Sequence, residues 1–211
     1  ENGLLVIDDC VEAFGSEYEM LQAGNLGSDA SVFSFQTIRL PNCIEGGGVS
    51  FKSKDVFLNA MIYRDLGIDR SIFRDGNGEI SPFCDIDSVG FSATPFEFNS
   101  YIGCTQMDDI DELLLKQRNN AYCWDSKLCR DTNVSPISRR NTLPNYWVYG
   151  LLVNDPKSRV RIMLDFRNKG YFASGVHYNN SHYSVFGANK ICKGAEEFSS
   201  RFIAIPSGWW L

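Results

Sequence analysis

The chain has 211 residues, a formal net charge of −6, 44% hydrophobic and 22% charged residues, which suits one to one and a half globular domains and excludes a disordered chain. The acidic balance argues against non-specific nucleic-acid binding, which needs a basic surface, and no apolar run reaches membrane-spanning length or forms a signal-peptide core, so the cytoplasm is the expected compartment. The seven cysteines are odd in number and scattered without a C-x-x-C, which argues against a disulfide framework or a zinc site and for reduced, mostly buried thiols.

Leu4-Leu5-Val6-Ile7-Asp8 is a continuous apolar run ending in acids. It predicts a buried parallel strand with functional groups at its C-terminal end. Residues 30–35 and 47–51 predict two further strands, joined by an irregular loop over 36–46. Ser53-Lys54-Asp55 predicts the start of a helix running to about Asp65. Residues 66–95 are loop-like, with a turn at Asp75-Gly76-Asn77-Gly78 that suits a hairpin tip. Thr94-Pro95 predicts an N-cap followed by proline at the first helical position, with the helix reaching about Cys104. A second helix, from Met107 to about Leu128, carries Ile110, Leu113, Leu114, Gln117 and Ala121 near helical spacing. Residues 130–144 are polar and proline-bearing and predict a linker. Beyond it the pattern predicts a strand (146–153), a helix (157–168), a strand (172–178), a helix (193–200) and a short strand (202–205). The expected division is therefore 1–129, a linker at 130–144, and a small α/β domain at 145–211.

The run Phe33-Ser34-Phe35-Gln36-Thr37-Ile38-Arg39, followed by Glu45-Gly46-Gly47, resembles the segment of the DegT/DnrJ/EryC1/StrS sugar aminotransferases that carries the Schiff-base lysine, roughly F-S-F-H-x-x-K and then E-G-G. Arg39 stands at the lysine position. A guanidinium stays protonated and has no amine lone pair with which to bond the cofactor. Leu5 to Gly15 is similar to the family's V-I-E-D-C-A-x-A-x-G. Gly90 to Glu97 is similar to G-Y-N-x-R-M-x-E. Gly175 to Phe186 and Phe202 to Leu211 resemble V-H-x-R-N-D-x-H-x-x-F and S-I-P-x-G-W-W-L.

The resemblance implies a fold-type-I α/β architecture: part of a cofactor-binding large domain followed by a small α/β domain. It implies pyridoxal phosphate or pyridoxamine phosphate as cofactor, held non-covalently if at all. The implied cofactor contacts are Asp9 at the pyridine nitrogen, Glu12 near the ring, Ser34 at the phosphate and Gln36 in place of a frequent histidine. Ser92, His177, Asn179 and His182 take the implied substrate positions, and a sugar nucleotide is the implied substrate. The family's N-terminal part has no counterpart in these residues, so a homodimer or a complementing N-terminal chain is expected.

Two functions follow from the resemblance. One is an amino-sugar aminotransferase homologue impaired by loss of the lysine; the other is a non-catalytic scaffold or half-enzyme subunit. Plainer readings stand beside the site assignments. Asp8 and Asp9 suit a helix N-cap, Arg39 suits an ion pair with Glu12 or Glu45, and His177 and His182 suit ordinary hydrogen bonding as well as metal ligation. Trp209 and Trp210 suit packing as well as stacking on a base.

Overall fold

In the computed structural model, which describes residues 3–187 and 192–211, the chain divides between Ile110 and Asp111 into two units. The first unit starts with β1 (Ile7–Asp9), makes a short hairpin of β2 (Glu17–Tyr18) and β3 (Leu21–Gln22), and returns as β4 (Ala30–Ser34) and β5 (Gly47–Phe51). β4 is central in this sheet: β1 pairs with it in parallel, Asp9 opposite Val32, and β5 pairs antiparallel, Gly47 opposite Ser34. Glycine is required at position 47, because a Cβ there would lie 2.8 Å from the Phe33 carbonyl oxygen.

The parallel pairing of the first strand is as expected, but its burial is not. Leu4, Leu5 and Ile7 are 77%, 86% and 70% exposed. A three-stranded sheet with β1 at its edge does not cover that strand on both faces, and an apolar run is buried only where both faces are covered.

Ser53 caps α1 (Lys54–Arg64), its Oγ accepting from the Val56 N–H at 3.4 Å. The next segment is irregular and includes the expected tip: Arg74 bridges Ile80, and Asp75 Oδ1 accepts from the N–H groups of Asn77 and Glu79. Asp65 is buried and takes guanidinium hydrogen bonds from Arg64 (2.7 Å) and Arg70 (3.2 Å). The Arg64 hydrogen bond holds its carboxyl below the usual range. α2 spans Glu97–Met107 with Phe96 at the cap, so Thr94-Pro95 lies before the helix rather than forming its first turn.

The second unit contains nearly all of α3 (Ile110–Leu128), then β6 (Val134–Pro136), β7 (Thr142–Leu143), β8 (Tyr149–Val153), α4 (Arg159–Asn168), α5 (Lys193–Arg201) and β9 (Phe202–Ile205). The sheet runs β6-β8-β9, antiparallel throughout. Three expectations are corrected. The stretch 130–144 is not a structureless linker, because Val134 is an inward apolar residue and its strand completes the sheet beside Val153. Residues 172–178 make one bridge, Ser174 to Ala204, instead of a strand. The helix α3, expected with the first domain, belongs with the second unit.

The core lies in this second unit. Leu151, Val153 and Tyr149 alternate inward from β8, Ile203 and Ile205 come from β9, and Ala121 and Trp124 come from α3. The closing I-P-S-G segment is tied to α3 and to the chain before β8. Trp124 Nε1 donates to the Pro206 carbonyl (2.9 Å), Asn120 to that of Gly208 (2.8 Å), and the buried Ser207 hydroxyl to that of Tyr146 (2.8 Å). Gly208 leaves room for the Trp210 ring, which a Cβ would meet at 2.2 Å. Trp210 otherwise stays 63% exposed.

Asp125 accepts from both nitrogens of the Arg139 fork and from the Tyr149 hydroxyl, and the guanidinium lies over the Tyr146 and Tyr149 rings. Burial pulls the Asp125 carboxyl upward, but these donors outweigh it and hold the group below the usual carboxylate range. Asp125→Asn is expected to cost about 2 kcal/mol, less than a fully buried pair because both side chains keep some exposure. All four tryptophans lie in this unit, so urea unfolding followed by tryptophan fluorescence reads it selectively. A group with a depressed folded-state pKa stabilises fully above its unfolded value. The wild-type advantage over Asp125→Asn is therefore expected to persist above roughly pH 4 and to fade as acid titrates Asp125 in the folded protein.

Candidate functional site

The C-terminal ends of the parallel strands β1 and β4 deliver Asp9 and Ser34 to one edge of the first unit's sheet, the position where open α/β sheets place ligands. Asp9 is exposed, and its Oδ1 accepts from the Val11 N–H at 3.2 Å. This is a local turn, and no helix follows it. Ser34 Oγ accepts from the Gln36 N–H at 3.4 Å.

The loop from Gln36 to Gly46 is built around Asn42, whose four polar groups all bond. Its Oδ1 accepts from the Ile44 N–H (2.7 Å) and its Nδ2 donates to the Thr37 carbonyl (2.8 Å). Its backbone N–H and carbonyl exchange hydrogen bonds with the Gln106 side chain at 2.8 and 2.6 Å. Asn99 Nδ2 donates to the Glu45 carbonyl at 3.0 Å. Asn99, Gly103 and Gln106 are spaced by four and three residues on α2, so they share one helix face. That face grips the loop at Asn42 and at Glu45, and Gly103 lets the loop approach: a Cβ there would be 2.3 Å from Cys43 Sγ.

Held in this way, the loop turns Arg39 toward Glu12, and the two form an ion pair at 3.2 Å with side-chain exposures of 11% and 31%. Of the two partners expected for Arg39, Glu12 is the one observed. Glu45 instead accepts from Gln36 Nε2 at 3.3 Å. Arg39–Glu12 and Gln36–Glu45 are thus two pairs, linked by the Arg39 N–H donating to the Gln36 carbonyl at 2.8 Å. Ser92 is not part of this group; it is exposed and bridges Asp65.

The remaining predicted residues lie in the second unit. His177 has a left-handed backbone (φ 63°) and stacks on Trp147 with ring centroids 5.9 Å apart. His182 lies 5.2 Å from the Tyr178 ring. Asn179 caps the short 3-10 turn Asn180–His182, and its Nδ2 is buried without a hydrogen-bond partner among the described residues. No group of three or more His, Cys, Asp and Glu residues is arranged to hold a metal ion among the described residues.

Chemically, the first-unit cluster offers a carboxylate at Asp9, a hydroxyl at Ser34 and an amide at Gln36. It offers no amine at residue 39, so it does not fit a cofactor linked through a lysine there. The Glu12 charge is answered by Arg39, so it is not a free negative charge beside the cluster. Sequence reading missed Asn42, Asn99, Gly103 and Gln106. The spacing of the last three was legible as a common helix face, but nothing local says that the face holds a loop more than fifty residues earlier in the chain.

Residues 1–210 match the DegT/DnrJ/EryC1/StrS aminotransferase family. The chain is 25% identical over 208 residues to the GDP-perosamine synthase of Escherichia coli O157:H7, covering 97% of this chain and 53% of that protein. Its fold superposes on the crystal structure of the sugar aminotransferase CalS13 from Micromonospora echinospora with a TM-score of 0.86 at 29% identity, covering 98% of this chain and 54% of that one. At 13% identity, a likeness of fold alone, it also superposes with a TM-score of 0.83 on the E. coli GDP-4-keto-6-deoxy-D-mannose-3-dehydratase with bound hydrated PLP, covering 99% and 57%. The chain spans about half the length of the relatives it matches.

The Gly103 contact gives a direct check. Gly103→Ala gains about 1 kcal/mol of helix propensity but drives a methyl into Cys43, and the expected net result is a loss of about 1–2 kcal/mol with faster amide exchange over residues 37–45. Gly103→Ala combined with Cys43→Ala is expected to recover that loss. Additive effects in this double-mutant cycle, measured by hydrogen exchange, would remove the contact from the account.

Proposed function

Because the chain belongs to the DegT/DnrJ/EryC1/StrS aminotransferase family, we propose that it is part of a sugar-nucleotide aminotransferase relative of amino-sugar and surface-polysaccharide synthesis whose own catalysis is impaired at Arg39. The observation that carries this reading is the Arg39–Glu12 ion pair. Arg39 stands where the family pattern has lysine, and Glu12 where it has His or Gln. The two departures are a single contact, and each neutralises the charge the other brings.

Pyridoxal or pyridoxamine phosphate, when bound, supplies an electron sink for amine transfer. In this reading Asp9 would hold the ring-nitrogen proton, the Ser34 hydroxyl would hold the phosphate, and Gln36 would take the place where histidine is frequent. Arg39 cannot relay a proton to or from a substrate carbon, since a guanidinium stays protonated and has no free lone pair to accept one. Ser92, His177, Asn179 and His182 are assigned to the sugar nucleotide.

A second reading, a non-catalytic scaffold or half-enzyme subunit, is favoured by the apolar side chains that the first unit exposes, including Leu5, Phe83 and Val89. Surfaces of this kind mark contact sites. The partner proposed is a second copy or a chain that completes the cofactor domain. No helix among the described residues is long and apolar enough to cross a membrane, and the seven thiols, none in a disulfide, suit the cytoplasm proposed as its compartment.

The test is Arg39→Lys in the full polypeptide, exposed to pyridoxal phosphate, reduced with borohydride and mapped by peptide mass. A cofactor adduct at residue 39 in the variant and not in the wild type is the expected result. Native mass spectrometry of the wild type is expected to find the cofactor bound without a covalent bond. Absence of cofactor from both proteins would move the assignment to the scaffold reading. Transamination of a sugar nucleotide by the wild type would end the claim of impairment.

A further inference from the structure

We propose that Cys43 and Cys104 are a reversible dithiol switch, closing to a disulfide that locks the Arg39-bearing loop onto α2 when the protein meets an oxidised low-molecular-weight disulfide such as oxidised glutathione. Cys43 is buried at the base of the loop, and Cys104 is exposed on α2. Both line one cavity of about 320 Å³ in the first unit, walled by Phe14, Phe35, Pro95 and Met107. Cys43 Sγ presses against the backbone of Gly103, the residue next to Cys104. The Gln106–Asn42 exchange and the Asn99–Glu45 hydrogen bond fix the two backbones together on either side of that contact. A disulfide needs its two backbones close and held; the clasp holds them at Asn42 and Glu45, and both cysteines face one cavity.

The chemistry is two thiol exchanges. The Cys104 thiolate attacks oxidised glutathione, forming a mixed disulfide and releasing one glutathione thiolate. The Cys43 thiolate then attacks the Cys104 sulfur, forming the protein disulfide and releasing the second. The two protein thiols are oxidised, one glutathione disulfide is reduced to two thiols, and the two protons lost by the cysteines are taken up by the leaving thiolates. Burial, and then the charge of Cys104, push the Cys43 thiol up, so the second step is slow at neutral pH. Its rate is expected to rise about tenfold per pH unit below that raised value, as the thiolate fraction grows. Reducing thiols reopen the bond, as suits a switch in a compartment where stable disulfides are rare.

The experiment treats the full reduced chain with oxidised glutathione, quenches with acid and maps peptides without reduction. The expected product has lost two hydrogens and joins the Cys43 and Cys104 peptides, with amides 37–45 exchanging more slowly than in the reduced protein. In Cys104→Ser, an exposed change that leaves the fold intact, the crosslink is expected to vanish and Cys43 to stay reduced. In Cys43→Ala, Cys104 is expected to retain one glutathione. A wild-type protein that retains glutathione on Cys104 as Cys43→Ala does, leaves Cys104 unreacted, or pairs either cysteine with another thiol overturns the proposal.

Discussion

The exchange of two hydrogen bonds between the Gln106 side chain and the Asn42 backbone is the constraint on which the candidate site depends. A side-chain amide presents a donor and an acceptor side by side, much as a neighbouring strand would, and here it substitutes for one where the chain has left the sheet. Asn42 then uses its own amide inside the loop, so all its hydrogen-bonding groups are satisfied in a turn that no ladder supports. Ile44, the following residue but one, is held in the left-handed region at φ 67°, an unfavourable setting for a branched side chain. The Asn42 Oδ1 bond to its N–H helps keep it there. The path of the loop thus comes from α2 and is not the minimum of its own sequence.

What that path achieves is the meeting of Arg39 with Glu12. The pair is mostly shielded from water, so neither charge could be lost alone without leaving the other poorly compensated. Glu12, a carboxylate adverse on its own to an anionic ligand, becomes close to neutral once paired with Arg39. The contact therefore leaves this end of the sheet without an unanswered charge at either residue.

Much of the fold was legible. The strands 30–34 and 47–51, the Ser53-capped helix and the long helix to Leu128 stand where periodicity and capping residues put them, because in these segments local preference and burial agree. The failures fall where they disagree. Val134 sits among polar residues, so its strand is visible only once Val153 is known to lie beside it. Residues 172–178 have the composition of a strand, yet the left-handed turn at His177 and the short pairing with Ala204 stop the ladder after a single bridge. At the site, the residue types at 9, 12, 34, 36 and 39 could be read from the motif. The choice of Glu12 over Glu45 as the ion-pair partner could not, because it depends on the angle at which α2 presents the loop.

The apolar run Leu4 to Ile7, which leads into the edge strand β1, remains in contact with water. Such a strand is a template for any chain able to add a neighbour to it. Its lifetime in a cell is then a matter of supply: whatever segment caps that edge stabilises the fold in proportion to its concentration over its dissociation constant. Where that segment is scarce, the same residues are what chaperones and proteases recognise. A segment that binds over Leu4 to Ile7 would raise the stability of this unit in step with its own concentration.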